Sequence, residues 1–213
     1  MLRVVSISDT HNMHEQIELP EGDLIIHCGD FSSEGSKSEF SSFLNWFKKL
    51  NFKYKILVPG NHDKYLEKYQ YEDLKRFEEI GINILISRKL EIEKYNFFGF
   101  PYVPYCGDWA FTYRLWNYKI VAPVFSLDIP NELDVLICHG GPYKKLDKCK
   151  DGVEVGCKYL AQRIKETNPR YCVFGHIHES NGIIEEEDTT FINCSICNEY
   201  YEPVNKPFVF DLF

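Results

Sequence analysis
Apolar positions along the chain repeat with two periods. Segments 2–8 (LRVVSIS), 23–28 (DLIIHC), 53–58 (KYKILV), 82–86 (INILI), 95–100 (YNFFGF), 133–138 (LDVLIC), 170–174 (RYCVF), 182–186, 189–194 and 208–212 have strand character. Several are unbroken Val/Ile/Leu/Phe runs, as expected of strands covered on both faces. Helical spacing falls between them. Segment 36–50 places Phe40, Phe43, Leu44 and Phe47 at i, i+3, i+4 and i+7. Segment 71–81 ends at Gly81, a residue that closes helices in the left-handed conformation. Segment 156–169 stops at Pro169. The first two thirds alternate strand and helix, and the last forty or so residues are mostly strand. With no linker, repeat or low-complexity stretch, the pattern predicts one α/β domain over residues 1–213, built on mixed sheets.

Composition narrows the function. A chain of 213 residues that is 44% hydrophobic, with 16 Phe and 14 Tyr, can bury a sizeable core. Its net charge of -8 argues against stable nucleic-acid binding, which needs a basic face to neutralise phosphates. A phosphate substrate stays open, because bound cations reverse the local sign. No stretch reaches the roughly 20 apolar residues of a membrane helix. The N-terminus runs straight into a strand pattern without a signal-peptide layout, so the expectation is a cytoplasmic protein without membrane contact. Eight cysteines are fewer than a disulfide scaffold uses. Cys28 and Cys138 lie in apolar runs, and the CSIC pair Cys194 and Cys197 has no second such pair to complete a zinc site. A reducing compartment fits this usage.

The polar residues at the strand ends carry the chemistry. SDTHN follows the first strand and holds Asp9 and His11; HCGD holds Asp30; PGNHD holds Asn61, His62 and Asp63. LDVLICHG delivers His139, and VFGHIH delivers His176 and His178. In extended backbone residues i and i+2 point the same way, so Asp9 with His11, and His176 with His178, are expected to aim at common points. Glycines 29, 60, 140 and 175 stand beside these residues and permit close backbone approach. Carboxylate, imidazole and amide oxygen together suit manganese, iron or zinc. Seven ligands are too many for one ion and suit two that share a carboxylate, with positions left for solvent and substrate. The residual positive charge calls for an anion, and phosphate esters fit.

In this order D-x-H, G-D, G-N-H-D, H-G and G-H-x-H resemble the calcineurin-like metallophosphoesterase superfamily, over residues 9 to 178. GDWAF (107–111), RYCVFGHIHESNGI (170–183), TTFINCSICN (189–198) and PVNKPFVFDL (203–212) are similar to the small metallophosphoesterase-domain family of animal brain proteins. The resemblance implies a two-sheet mixed β-sandwich flanked by helices. It implies that Asp9, His11, Asp30 and His178 hold one ion, with Asp30 bridging, and that Asn61, His139 and His176 complete the second. His62 is then left to protonate the leaving oxygen or bind the phosphate, with Asp63 hydrogen-bonded to it. Some relatives carry Gly for the first His of G-H-x-H and are poor catalysts; this chain keeps His176.

The implied activity is that of a dinuclear metal-dependent hydrolase, a phosphodiesterase ahead of a phosphomonoesterase, in which a metal-bridging hydroxide attacks phosphorus. Manganese is the expected metal, with iron, zinc and nickel as alternatives. The expected partner is a small phosphate ester, a nucleotide among the candidates. Two rivals remain: a fold that has kept its metals as an interaction module, and a nuclease, for which the chain is short and acidic. The aromatic stretch 101–116 reads either as a cleft wall, with Tyr105, Trp109 and Arg114 as substrate contacts, or as a packed loop; for Arg114 a surface ion pair is the more common fate.

Overall fold
The computed structural model describes residues 1–69, 71–116, 119–121 and 129–213; side chains at 71–73, 114–116 and 119–121 lie outside that description. The strands are β1 (Leu2–Ile7), β2 (Leu24–His27), β3 (Tyr54–Leu57), β4 (Asn83–Ile84), β5 (Arg88–Ile92), β6 (Tyr95–Phe100), β7 (Val103–Pro104), β8 (Thr112–Trp116), β9 (Lys119–Val121), β10 (Val135–Gly140), β11 (Tyr171–Gly175), β12 (Gly182–Glu186), β13 (Thr189–Asn193) and β14 (Phe208–Leu212). The helices are α1 (Lys37–Lys49), α2 (Tyr71–Glu78) and α3 (Lys158–Thr167).

Two large mixed sheets result. One has the order β14-β1-β2-β3-β4, parallel except for β14; the other has the order β12-β13-β11-β10-β6-β5, with antiparallel strands only at its two edges. Alternation along each strand assigns its side chains to two cores. Val4, Ile26 and Ile56 of the first sheet share one cluster with Val135, Ile137, Val173 and Ile192 of the second, as the facing sides of a sandwich do. Their neighbours Val5, Ile25 and Leu57 join a second cluster with Phe40, Phe43 and Phe47 of α1, and Leu136 and Phe174 with Leu160 and Ile164 of α3. The fold is thus the two-sheet sandwich flanked by helices that the family resemblance implied.

The helix ends follow from local chemistry. Ser36 and Glu39 form a reciprocal capping box at the start of α1. Glu39 Oε1 also accepts from the Ser33 and Glu34 N–H groups and from Asn12 Nδ2, which ties the segment after Asp30 to the helix. α3 ends at Asn168 in the left-handed conformation, one residue before Pro169.

Three details differ from expectation. β4 spans only two residues of 82–86; β5 was not expected, because three of the five residues of RKLEI are charged and only Ile92 is buried, at a sheet edge; and part of the aromatic stretch enters a small sheet, β7-β8-β9. Among the described residues no helix is long and apolar enough to cross a membrane.

The parallel strands β1, β2, β3, β10 and β11 end on the same side of the sandwich, and ligands of open α/β sheets bind at such carboxyl ends.

Candidate metal centre
The ends of β1, β2 and β11 turn sharply where their polar residues begin. Asp9 (φ 53°), His11 (φ 39°), Asp30 (φ 55°) and His176 (φ 71°) all lie in the left-handed region. This corrects the expectation of extended backbone through D-x-H and G-H-x-H. Non-glycine residues held there store on the order of 1–3 kcal/mol each, and such residues cluster at functional sites. The strain is held by hydrogen bonds between neighbouring loops. Asp9 N–H donates to Gly29 O (2.9 Å), His11 N–H to Asp30 O (3.1 Å), and His176 N–H to Asp9 Oδ2 (2.9 Å). Gly175 lets these loops meet, since a Cβ there would collide with Asp9 Oδ2 and Ser8.

Two groups of ligand atoms result. Those of Asp9, His11 and His178 lie within 4.8 Å of one another, and so do those of Asp30, His139 and His176. The paired histidines therefore serve different groups: His176 sits in a left-handed turn and His178 begins a short 3-10 turn. Asn61 Oδ1 is 2.9 Å from His139 Nε2, which brings it to the second group.

Imidazole tautomers decide whether cations fit. His11 Nδ1 contacts Ser32 O (3.0 Å), His139 Nδ1 contacts Cys28 O (2.8 Å), and His178 Nδ1 contacts Asn198 O (2.9 Å). A carbonyl oxygen only accepts, so each Nδ1 carries the proton and each neutral ring turns an Nε2 lone pair to the cleft. His11 Nε2 and His178 Nε2 then stand 3.3 Å apart with lone pairs facing, and Asp9 Oδ1, buried and without a hydrogen-bond partner among the described residues, faces His178 Nε2 at 3.4 Å. His139 Nε2 likewise faces only acceptors, Asp30 Oδ2 (3.2 Å) and Asn61 Oδ1 (2.9 Å). Convergent acceptors without donors want a proton or a metal cation, and this nitrogen-and-oxygen donor set suits borderline divalent ions.

Without metal, protons fill these places. Burial alone would lower His139 and His178, but Asp30 and Asp9 beside them win and raise both to about 9. Burial raises the carboxyls of Asp9 and Asp30, yet His178 for the first and His139 for the second hold them below the ordinary range. His176 is pushed down to about 4 by burial, then by the charge of His139.

The pair expected between Asp63 and His62 is not formed. Asp63 Oδ2 accepts from the N–H groups of Asp30 (2.9 Å) and Gly60 (2.8 Å), and its Oδ1 from Ser32 Oγ (2.8 Å) and Ser32 N–H (3.2 Å). Asp63 thus joins two ligand-bearing loops, which adjacency in sequence does not reveal. Burial and the charge of Asp30 push its carboxyl up to about 8, against the pull of the Gly60 N–H. His62 Nδ1 instead donates to Ser33 O (2.6 Å), and its Nε2 stands 3.9 Å from Asp30 Oδ2. Its own N–H donates to Asp30 Oδ1 (2.8 Å).

Around this centre runs a cleft lined by Asp30, Asn61, His62, Cys106, Trp109, His176, His178, Glu179, Glu199 and Tyr201. Trp109 stacks on His62 with ring centroids 4.0 Å apart. Tyr105 is half exposed and is not among the lining residues; the side chain of Arg114 lies outside the described residues. Tyr201, Glu179, Glu199 and Cys106 were not foreseen. Glu179 follows His178 directly and offered a signal, whereas Tyr201 lies in a polar turn that gave none. The eight cysteines are all free, Cys194 and Cys197 among them.

The model of the family described as calcineurin-like phosphoesterase matches residues 2–180. Human metallophosphoesterase domain-containing protein 1 is 33% identical over 233 residues, covering 99% of this chain and 71% of the relative. A UPF0046 protein of Caenorhabditis elegans is 34% identical over 221 residues, covering 98% and 74%. Among solved structures, phosphopantetheinyl hydrolase from Mycobacterium tuberculosis superposes with a TM-score of 0.56 at 15% identity, over 93% of this chain and 90% of that one. TT1561 of Thermus thermophilus does so at 0.57 and 13%, over 90% and 88%. At such identities these two speak for the fold alone. The family match and the two ligand groups support a metal-dependent phosphoester hydrolase, and the chain belongs to the calcineurin-like phosphoesterase family.

Proposed function
We propose that the protein is a phosphodiesterase working with two divalent ions, manganese first among them, on a small phosphodiester, a nucleotide derivative among the candidates. The observation that carries the reading is the pair of convergent ligand groups beside His62, whose Nδ1 is held by Ser33 O and which belongs to neither group. Asp9, His11 and His178 would hold one ion and Asn61, His139 and His176 the other, with Asp30 shared. Ions bound there would polarise the phosphoryl oxygens and lower the pKa of a coordinated water. The chain's own residues do the rest. The Ser33 carbonyl fixes His62 so that its Nε2 faces the cleft, and a proton held there passes to the departing ester oxygen. Trp109 keeps that ring in place from its other face. Asp63 holds the Asp30 and Gly60 loops in register, so that the groups converge before substrate arrives.

The diester preference is supported by the rim. Glu179 and Glu199 line the cleft, Glu199 paired with Lys150, and the charge of Glu179 opposes a monoester dianion more than a diester monoanion. The test is a panel in which metal-free protein receives Mn, Fe, Zn, Ni or Mg singly. Rates on bis(p-nitrophenyl) phosphate are then compared with those on p-nitrophenyl phosphate. A higher kcat/KM on the diester is expected, highest with Mn. A higher value on the monoester would make the protein a phosphomonoesterase. Tight metal binding with no hydrolysis of either would make it an interaction module.

A further inference from the structure
We infer that Tyr201 is a specificity residue, its ring receiving a flat, uncharged substituent of the phosphodiester, the one that remains on phosphorus when the leaving group departs. This rests on the phosphodiesterase reading. Four rings run in series across the cleft: Trp109 to His62 at 4.0 Å, His62 to His11 at 4.8 Å, and His11 to Tyr201 at 4.7 Å between centroids. Trp109 stands at the His62 end, where the leaving oxygen takes its proton. Tyr201 stands at the other end, edge-on to His11 and, at 5.5 Å, to His178. A substituent that does not leave has that end open to it.

The way Tyr201 is held is costly for folding. Its φ is 62°, a left-handed conformation that a bulky side chain adopts only where its surroundings impose it. They do so through Asn198. The Asn198 Oδ1 accepts from the N–H groups of Tyr200 (2.9 Å) and Glu202 (3.0 Å), and its carbonyl from Tyr201 N–H (2.9 Å). That same carbonyl accepts from His178 Nδ1, so one residue orients both a ligand imidazole and the neighbouring aromatic wall. For this strain the core gains little, since Tyr201 remains 47% exposed. A strained, half-exposed aromatic facing a reactive centre points to contact with a ligand.

Charge selects the kind of ligand. Glu199 lies two residues before Tyr201 in the same turn, and Glu179 follows His178. Lys150 Nζ offsets Glu199 (3.2 Å), while Glu179 receives the Lys150 N–H (3.3 Å) and, among the described residues, has no cationic side chain paired with it. A further phosphate or carboxylate at this end would meet like charge, and a neutral ring would not.

The experiment compares bis(p-nitrophenyl) phosphate with methyl p-nitrophenyl phosphate. Both expel the same leaving group, and they differ only in what stays. The Mn-loaded wild type should favour the aryl diester in kcat/KM. Tyr201→Ala should lower that preference by about 5–150-fold, the range for loss of one ring stack, and Tyr201→Phe should keep it. Bound metal per chain, measured by atomic absorption, should equal wild type in both variants. An unchanged ratio in Tyr201→Ala, an equal loss on both diesters, or loss of metal would overturn the inference. Wild type that hydrolyses p-nitrophenyl phosphate but neither diester would instead overturn the phosphodiesterase reading, and this inference with it.

Discussion
Metal binding should release protons, and the structure says how many. In the metal-free protein His178 and His139 each hold an Nε2 proton with a pKa of about 9, one per ligand group. Below that value both rings are charged, and a divalent ion must displace one proton from each group to reach its lone pair. His11 and His176 are held down, chiefly by burial, and Asp9 and Asp30 are already ionised. These four add no proton release near neutrality. The apparent affinity of each group should therefore rise about tenfold per pH unit, or about 1.4 kcal/mol. Between pH 6.5 and 8.5 that amounts to about 100-fold per site, levelling off above about 9. Calorimetric titration with Mn in buffers of different ionisation enthalpy reads the proton count directly. One proton per ion is expected at pH 7. Affinity independent of pH across this window, or release of no proton, would refute the charging of His139 and His178 by Asp30 and Asp9.

Three further outcomes are expected. His62→Ala should keep both metal equivalents, since the Asp30 contact uses the backbone N–H, while diester turnover falls about 10²–10⁴-fold; paired metal analysis and stopped assays would expose a lost ion or an unchanged rate. Phe43→Ala removes a ring packed 4.4 Å from Phe31 and 5.0 Å from Phe47 in the α1 core, and urea unfolding should show a loss of about 3–5 kcal/mol. His27 is fully buried, hydrogen-bonded to Thr10 Oγ1, and pushed down to about 3 by that burial. The unfolded chain therefore takes up a proton below pH 6.5 that the folded one refuses. Stability present above 6.5 is lost as pH falls, by about 2 kcal/mol between 6.5 and 5. His27→Gln in chelator should unfold with a shallower pH dependence than wild type, and equal slopes would count against this.

What could be read in the sequence was whatever side-chain identity alone decides. The strand runs were plain because both faces of β1, β2, β10 and β11 are covered, so Val4 and Val5 are apolar alike whichever core they enter. The ligand types were plain because carboxylates and imidazoles at five strand ends have few other uses. β5 was not plain, since RKLEI is mostly charged and buries only Ile92 at an edge. The backbone around the ligands was not plain either. Asp9, His11 and His176 carry side chains that gave no warning of positive φ, and the glycines beside them hinted at close approach without saying which loop approaches.

The Asp63 assignment failed for a related reason, and it shows where the limit lies. A histidine followed by an aspartate suggests a side-chain pair, yet every described imidazole partner that orients the centre is a main-chain carbonyl: Ser32 for His11, Ser33 for His62, Cys28 for His139 and Asn198 for His178. Any residue type supplies a carbonyl, so nothing in the sequence marks these positions. A carbonyl also cannot be protonated near neutrality or exchange roles with the ring, as a carboxylate can. It keeps a proton on Nδ1 at all working pH values and adds no negative charge beneath the ligands. Asp63 is left free to do what carbonyls cannot, gathering the N–H groups of Asp30, Gly60 and Ser32 on one side chain. The centre's orientation is therefore written in loop conformation. The left-handed turns at Asp9, His11, Asp30 and His176 are what that conformation requires of the chain.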